Sequence, residues 1–279
     1  MKKLNIVFVG HVVIDHNKVE QASYVRWGSP AMFMTKYFQS HFRLEPTIIA
    51  SYGENFLEFA DGVRLLPAHP NLRQSTMYEN IVTDGHRTQY CHHGDAPLPD
   101  ITPDVEATLH SADILFLAPL APTYGPAYVA EFMKHVSPDC LKILSPQGYF
   151  RYIGEDDLVS PREFAEAAQV LPYFDVVVLS DEDHPRADEV THIWKQQSPH
   201  TEIIVTENAR GADIILPEGT SHIPTTPIPP EQITDSTGLG DIFTAALAYS
   251  VYQGNDVPTA IQSAHAATRE KLLSSSSLK

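Results

Sequence analysis

The stretch Asp235-Ser236-Thr237-Gly238-Leu239-Gly240-Asp241 sets two carboxylates around two glycines, directly ahead of the apolar run IFTAALAYSVYQG. A helix beginning here presents unpaired backbone N–H groups and the positive end of its dipole, and glycines let an anion approach them closely. Asp241 then falls in the first turn. A carboxylate beside a bound phosphate is poorly placed for binding alone, but well placed to take a proton from a hydroxyl lined up with the phosphorus. The chemistry this points to is phosphoryl transfer. The same residues also suit a plain capped helix, with Asp235 or Ser236 as cap, the glycines in a tight turn and Asp241 complementing the dipole. Two other glycine motifs do not fit. No Lys-Ser/Thr pair follows, as a P-loop requires, and VGHVVID at the first strand offers only Gly10 where a dinucleotide fingerprint needs more.

Positioning these groups calls for a scaffold, and the hydrophobic pattern supplies one. Short β-branched or apolar runs recur at NIVFVGHVVI, PTIIAS, DILFLA, LKILS, DVVVLS and EIIVTE. Segments of helical spacing lie between most of them, at 29–39, 125–135, 161–169 and 185–197, with Pro126, Pro161 and Pro185 suited to first helical turns. The alternation predicts a mainly parallel sheet with helices on both faces. Two segments break it. KVEQASYVRW and the hairpin STMYENIVTDGHRTQYCHH, turning at Asp84 and Gly85, have no helix to cover them. They suit either a small flap beside the carboxyl edge of the sheet or a plain edge hairpin. Two helices close the chain, Leu239 to Gln253 and Val257 to about Leu272, the second capped by Asn255 or Asp256. The expectation is one domain over residues 1–279, with lid segments at about 17–27 and 73–93.

Composition narrows the partners. The 279 residues carry a formal net charge of −16, which repels nucleic acid and anionic membrane surfaces, and no stretch approaches transmembrane length. Cys91 and Cys140 are too few for a disulfide framework, which fits a reducing cytoplasm. The opening MKKLNIVFVGHVVID lacks a cleavage site and reads as a first buried strand rather than a signal peptide. Cys91, His92 and His93 alternate across a strand and do not converge on one metal ion.

With those residues in hand, the sequence resembles the ribokinase-like (PfkB) family of carbohydrate kinases. Asp235 to Asp241 is similar to that family's DTxGAGD signature and stands in the expected place, after the last parallel strands and before two closing helices. The resemblance implies an α/β three-layer sandwich with a mainly parallel central sheet and a small β lid. It implies transfer of the γ-phosphoryl of ATP, with Mg²⁺ held through ATP and water rather than by direct protein ligands. The acceptor is a small sugar or polyol. Asp241 is then the catalytic base, and the backbone of Gly238, Leu239 and Gly240 the anion hole. FVGHVVID looks like the family's first strand and puts Asp15 on substrate hydroxyls, while WGSPAMF resembles its Gly-Gly segment and nominates Gly28 and Ser29. VTENARGADIIL is similar to the nucleotide turn, with Thr206 and Gly211, and SAHAA puts Ala264 and His265 near adenine.

The departures from the family pattern carry their own expectations. NxxE is reduced to Ser180–Asp183, which weakens metal organisation there; Asn208 replaces a turn glycine, and Phe33 stands where the substrate-side segment usually has Asn. The sequence ends at REKLLSSSSLK, short of the usual last segment, which suggests looser nucleotide coverage. Together these features look similar to the myo-inositol kinase-like branch, with Asn80, Arg87 and Gln89 as lid contacts. SPQGYFR adds Gln147 and Arg151 facing substrate or phosphate, although Arg151 also suits a solvated loop. The other readings are a nucleoside kinase on the same scaffold and a catalytically weak sugar or nucleotide sensor. A monomer or a homodimer paired through lid strands fits equally.

Overall fold

The computed structural model describes residues 4–84, 86–233 and 236–274. The chain opens with β1 (Ile6–Gly10), β2 (Val13–Val19), β3 (Ala22–Gly28), α1 (Pro30–Phe42), β4 (Thr47–Ile49) and β5 (Arg64–Leu66). A hairpin of β6 (Met77–Thr83) and β7 (His86–His92) leads to α2 (Pro103–His110), β8 (Ile114–Ala118), α3 (Pro126–Met133) and β9 (Leu141–Leu144). Next come a small hairpin of β10 (Arg151–Ile153) and β11 (Val159–Pro161), the short α4 (Ala167–Val170), β12 (Val176–Ser180), α5 (Ala187–Gln197) and β13 (Glu202–Thr206). The antiparallel pair β14 (Gly211–Leu216) and β15 (Gly219–Pro224) precedes α6 (Leu239–Tyr252) and α7 (Val257–Leu273).

The strands form a nine-stranded sheet in the order β15-β14-β13-β12-β9-β8-β1-β4-β5, parallel from β13 through β5. Strand alternation splits its side chains between two cores. In β1, Ile6 and Phe8 join the layer that α1, α6 and α7 cover, where Phe8 stacks on Phe116 at 4.8 Å between ring centroids. Val7 and Val9 join the opposite layer with Val129, Phe132 and Trp194 from α3 and α5. The result is a three-layer α/β sandwich.

A second sheet of four strands, β3-β2-β6-β7, stands apart from the first. It takes in both segments that the sequence left without covering helices. The run NIVFVGHVVI, expected as one strand, is two. His11 is buried at the break, where its Nδ1 accepts the Leu120 N–H at 3.0 Å. That anchor ties the chain down where β1 leaves the large sheet, and Val13 onward pairs with β3 and β6 instead.

The helix expected at 161–169 is another correction. Pro161 lies in β11 opposite Arg151, and the helical turn shrinks to Ala167–Val170. Pairing of β10 with β11 claims those residues first. Pro185 precedes α5 rather than opening it, with Arg186 as N-cap, whereas Pro126 does occupy the first turn of α3. A helix without a sequence counterpart among the expected segments is α2, eight residues capped by Thr102, whose side chain accepts from the Val105 N–H. Asp256 caps α7.

Ser29 caps α1 and accepts the Met32 N–H at 3.3 Å, but does so at φ 123 and ψ 146. That region is nearly exclusive to glycine and costs a side-chain-bearing residue about 1–3 kcal/mol, whereas replacing a Ser cap by Gly costs only a few tenths. Ser29→Gly is therefore expected to stabilise the fold by about 1 kcal/mol. The check is a higher urea midpoint at unchanged m-value.

Candidate active site

Gly238 opens α6 with φ 73 and ψ 14, a left-handed conformation. Of the two capping candidates, Ser236 does not hold the cap position, which falls to Gly238, and Asp235 lies outside the described residues. Gly238 brings no capping side chain of its own, and backbone N–H groups at a helix start are the kind that bind anions. An added Cβ at Gly238 would run into the Phe33 ring, whereas one at Gly240 would meet nothing within 4 Å. The space over Gly240 is open to a ligand.

Asp241 sits in the first turn of this helix. Burial pushes its carboxyl up to about 7 and the negative charge of Asp183 adds to the rise, while the Arg151 guanidinium opposes both. A carboxyl poised near neutrality, beside an open anion-binding turn, can accept a proton at physiological pH.

Asp183 enters from the loop after β12. Its carboxylate accepts the Ser180 N–H at 2.9 Å and the Gln147 side-chain amide at 3.4 Å, yet burial still raises its pKa. The Ser180 hydroxyl is occupied within the loop, donating to Asp181 at 3.3 Å and accepting the Glu182 N–H at 3.2 Å.

The four-stranded sheet contributes a polar face. Side chains two apart on a strand share a face, and register aligns them across strands. One cross-strand row is Arg26–Asp15–Tyr78 and the next holds Asn17–Asn80–Gln89. Burial pushes Asp15 up to about 6 against the pull of Arg26, Arg87 and Arg151. A Cβ on Gly28 would collide with the Asp15 carboxylate, so only glycine lets that carboxylate lie over the backbone there.

Asn80, Arg87 and Gln89 converge on one atom. Asn80 Oδ1 accepts from Arg87 Nη2 at 2.6 Å and from Gln89 Nε2 at 2.7 Å, while the Asn80 amide donates to Asn17 Oδ1 at 3.1 Å. The three expected lid contacts thus form one network, with Asn17 as an unforeseen member. Strand alternation from Asp15 could have found Asn17, whereas Arg26 and Tyr78 required knowledge of the hairpin register.

Arg151 begins β10 and is not on a solvated loop. It donates to the Leu120 carbonyl at 3.1 Å, and its guanidinium carbon lies 5.2 Å from the centre of the Tyr78 ring. Its charge acts on Asp15, Asp183 and Asp241 alike. Arg151 is the cation that Asp15 of the four-stranded sheet shares with Asp183 and Asp241.

The remaining residues lie along the ends of β12 and β13. Thr206 closes β13 and donates to the Leu179 carbonyl at 3.3 Å. Asn208 adopts φ 52 and ties its amide to Glu182 at 2.8 Å. Gly211 has φ 129, and a Cβ there would strike the Ile223 carbonyl. On α7, Ala264 is buried, and the His265 ring lies 5.5 Å from Phe243 with its pKa lowered by burial and by His222. The Cys91, His92 and His93 side chains part company: Cys91 is buried beside Tyr78, His92 bonds Asp157 at 2.7 Å and His93 bonds Gln74 at 2.9 Å. No helix among the described residues is long and apolar enough to cross a membrane.

Residues 157–277 match the pfkB family carbohydrate kinase. No curated protein matches the chain. Among solved structures, a pyrophosphate-dependent kinase in the ribokinase family, complexed with a pyrophosphate analogue and myo-inositol, is 19% identical with a TM-score of 0.73, the alignment covering 98% of this chain and 97% of that one. Adenosine kinase of Anopheles gambiae is 14% identical, with a TM-score of 0.72 and coverage of 99% and 97%. Ribokinase of Arabidopsis thaliana, complexed with ribose and ATP, is 15% identical, with a TM-score of 0.69 and coverage of 99% and 94%. At these identities the likeness establishes a ribokinase-like fold.

The raised pKa of Asp241 has a defined pH signature. Its neutral form stabilises the fold fully below the ordinary value of 3.8, and that contribution is lost as pH rises through about 7. Asp241→Asn should therefore raise the melting temperature more at pH 8 than at pH 5. Arg151→Met removes the opposing cation, so carboxyl NMR should find Asp241 titrating above its wild-type value.

Proposed function

We propose, on the match of residues 157–277 to the pfkB family carbohydrate kinase, that the protein transfers the γ-phosphoryl group of ATP to a hydroxyl of a small sugar or polyol. The observation that carries this reading is the place of Asp241 in the first turn of a helix with open space over Gly240, where burial raises its carboxyl to about 7.

In this reading Asp15 accepts hydrogen bonds from acceptor hydroxyls, with Gly28 and Ser29 shaping the floor beneath them. Asn80, Arg87 and Gln89 close over the acceptor as one hydrogen-bonded unit, and the four-stranded sheet excludes water that would otherwise compete as nucleophile. Asp241 takes the proton of the attacking hydroxyl. The N–H groups of Leu239 and Gly240, behind the Gly238 turn, hold the oxygens of the moving phosphoryl, and preorganised donors of this kind are a major source of rate enhancement. Gln147 and Arg151 face the phosphate side.

The donor nucleotide lies along Thr206, Asn208, Gly211, Ala264 and His265. Magnesium fits the charge pattern, because the charge of Asp183 raises the preference of Asp241 for a proton and a nearby divalent cation would relieve that repulsion. When bound with ATP, it supplies neutralisation of charge on the phosphate oxygens. Ser180 and Asp183 would orient its water shell.

A panel of sugars, cyclic polyols and nucleosides, scored for ADP release from MgATP and for phosphorylated product from magnesium pyrophosphate, tests the reading. Turnover with a sugar or polyol and MgATP is expected. Turnover with nucleosides alone, or with pyrophosphate alone, would overturn the acceptor or the donor respectively. Asp241→Asn should lower kcat by about 10²- to 10⁴-fold, and survival of near-full activity would sink the mechanism. For the wild type, kcat/KM should rise with pH up to about 7 as Asp241 ionises, then level off.

A further inference from the structure

Phe33 stands where the acceptor side and the phosphate turn meet. Its ring packs 4.8 Å, centroid to centroid, from Trp27 on β3, and Trp27 is followed by Gly28, over which the Asp15 carboxylate lies. On its other side the ring lies against Gly238: a Cβ added there would come within 2.6 Å of Phe33 Cγ and 2.8 Å of Cε1. Phe33 is 8% exposed and Trp27 9%, so both rings are held by dense packing. Gly238 meanwhile takes φ 73, a conformation that glycine reaches without steric penalty but also leaves easily. Something other than a side chain of its own has to hold it there, and the neighbouring surface is the Phe33 ring.

We propose that Phe33 is a positioning residue, whose ring wedges the Gly238 turn into its left-handed form and so aims the N–H groups of Leu239 and Gly240 at a phosphate. The inference rests on reading that turn as the anion site of a phosphotransferase. It assigns a role to an aromatic residue that on composition alone would count as core filling. It also makes the turn answer to the acceptor side, since Trp27 and Phe33 form a continuous aromatic contact from Gly28 to Gly238.

A filler would affect stability only. A positioning residue must also affect anion affinity and kcat while leaving acceptor KM nearly unchanged. The test uses the full chain and inorganic pyrophosphate with Mg²⁺ as probe, measured by calorimetry, for wild type, Phe33→Ala, Phe33→Leu and Phe33→Tyr, each checked for cooperative melting. Phe33→Ala is expected to weaken pyrophosphate binding about tenfold and to lower kcat up to about 10²-fold, the scale of small misplacements at a reacting centre. Phe33→Tyr should stay close to wild type. Phe33→Leu should fall between, and decides the matter if the alanine variant fails to fold. Equal pyrophosphate affinity in the wild type and in the smallest variant that folds, including no binding by either, overturns the proposal. Phe33-dependent binding without turnover on any acceptor would instead sink the kinase reading and support the positioning of the turn.

Discussion

The carboxyl in the first turn of α6 is pulled two ways, and the groups packed around it set where it ionises. Burial alone drives Asp241 toward its neutral form, and Asp183 pushes the same way. The positive end of the helix and the guanidinium of Arg151 pull it back. The balance at about 7 exists only because these groups arrive from four separate segments: the α6 start, the loop after β12, the start of β10 and the carbonyl of Leu120 that holds Arg151.

The large sheet brings them together. Its parallel strands end on one edge, where the loops after β12 and β13 deliver Asp183 and Thr206, and where β1 hands the chain at His11 to the smaller sheet. Ligands collect at such edges because the strand ends and helix N-termini there offer backbone groups not consumed by the ladder. The smaller sheet then lays Asp15, Asn17, Asn80 and Gln89 along one face. Two glycines admit close approach where any side chain would block it, Gly28 beneath Asp15 and Gly238 beneath Phe33.

Much of this was legible from local pattern. Strand runs, the two closing helices and the helix start at Gly238 depend on periodicity and turn chemistry within a few residues, and the structure has them nearly where the sequence put them. The failures share a cause. The run NIVFVGHVVI reads as one strand until a distant backbone N–H, that of Leu120, claims His11. Pro161 reads as a helix start until β10 pairs with it. Arg151 reads equally well as a loop residue, because nothing near it in the chain records that Tyr78 and Leu120 will receive it.

The sequence by itself determined most of the strands and helices, which faces are apolar and where two glycines and an acid open a helix, since each of these is set by neighbours along the chain. Only the tertiary structure decided that Asp15, Asp183 and Asp241 share the field of one arginine, and that Phe33 rests on Gly238. Both depend on strand order and register, through which residues far apart in the chain come to face one another.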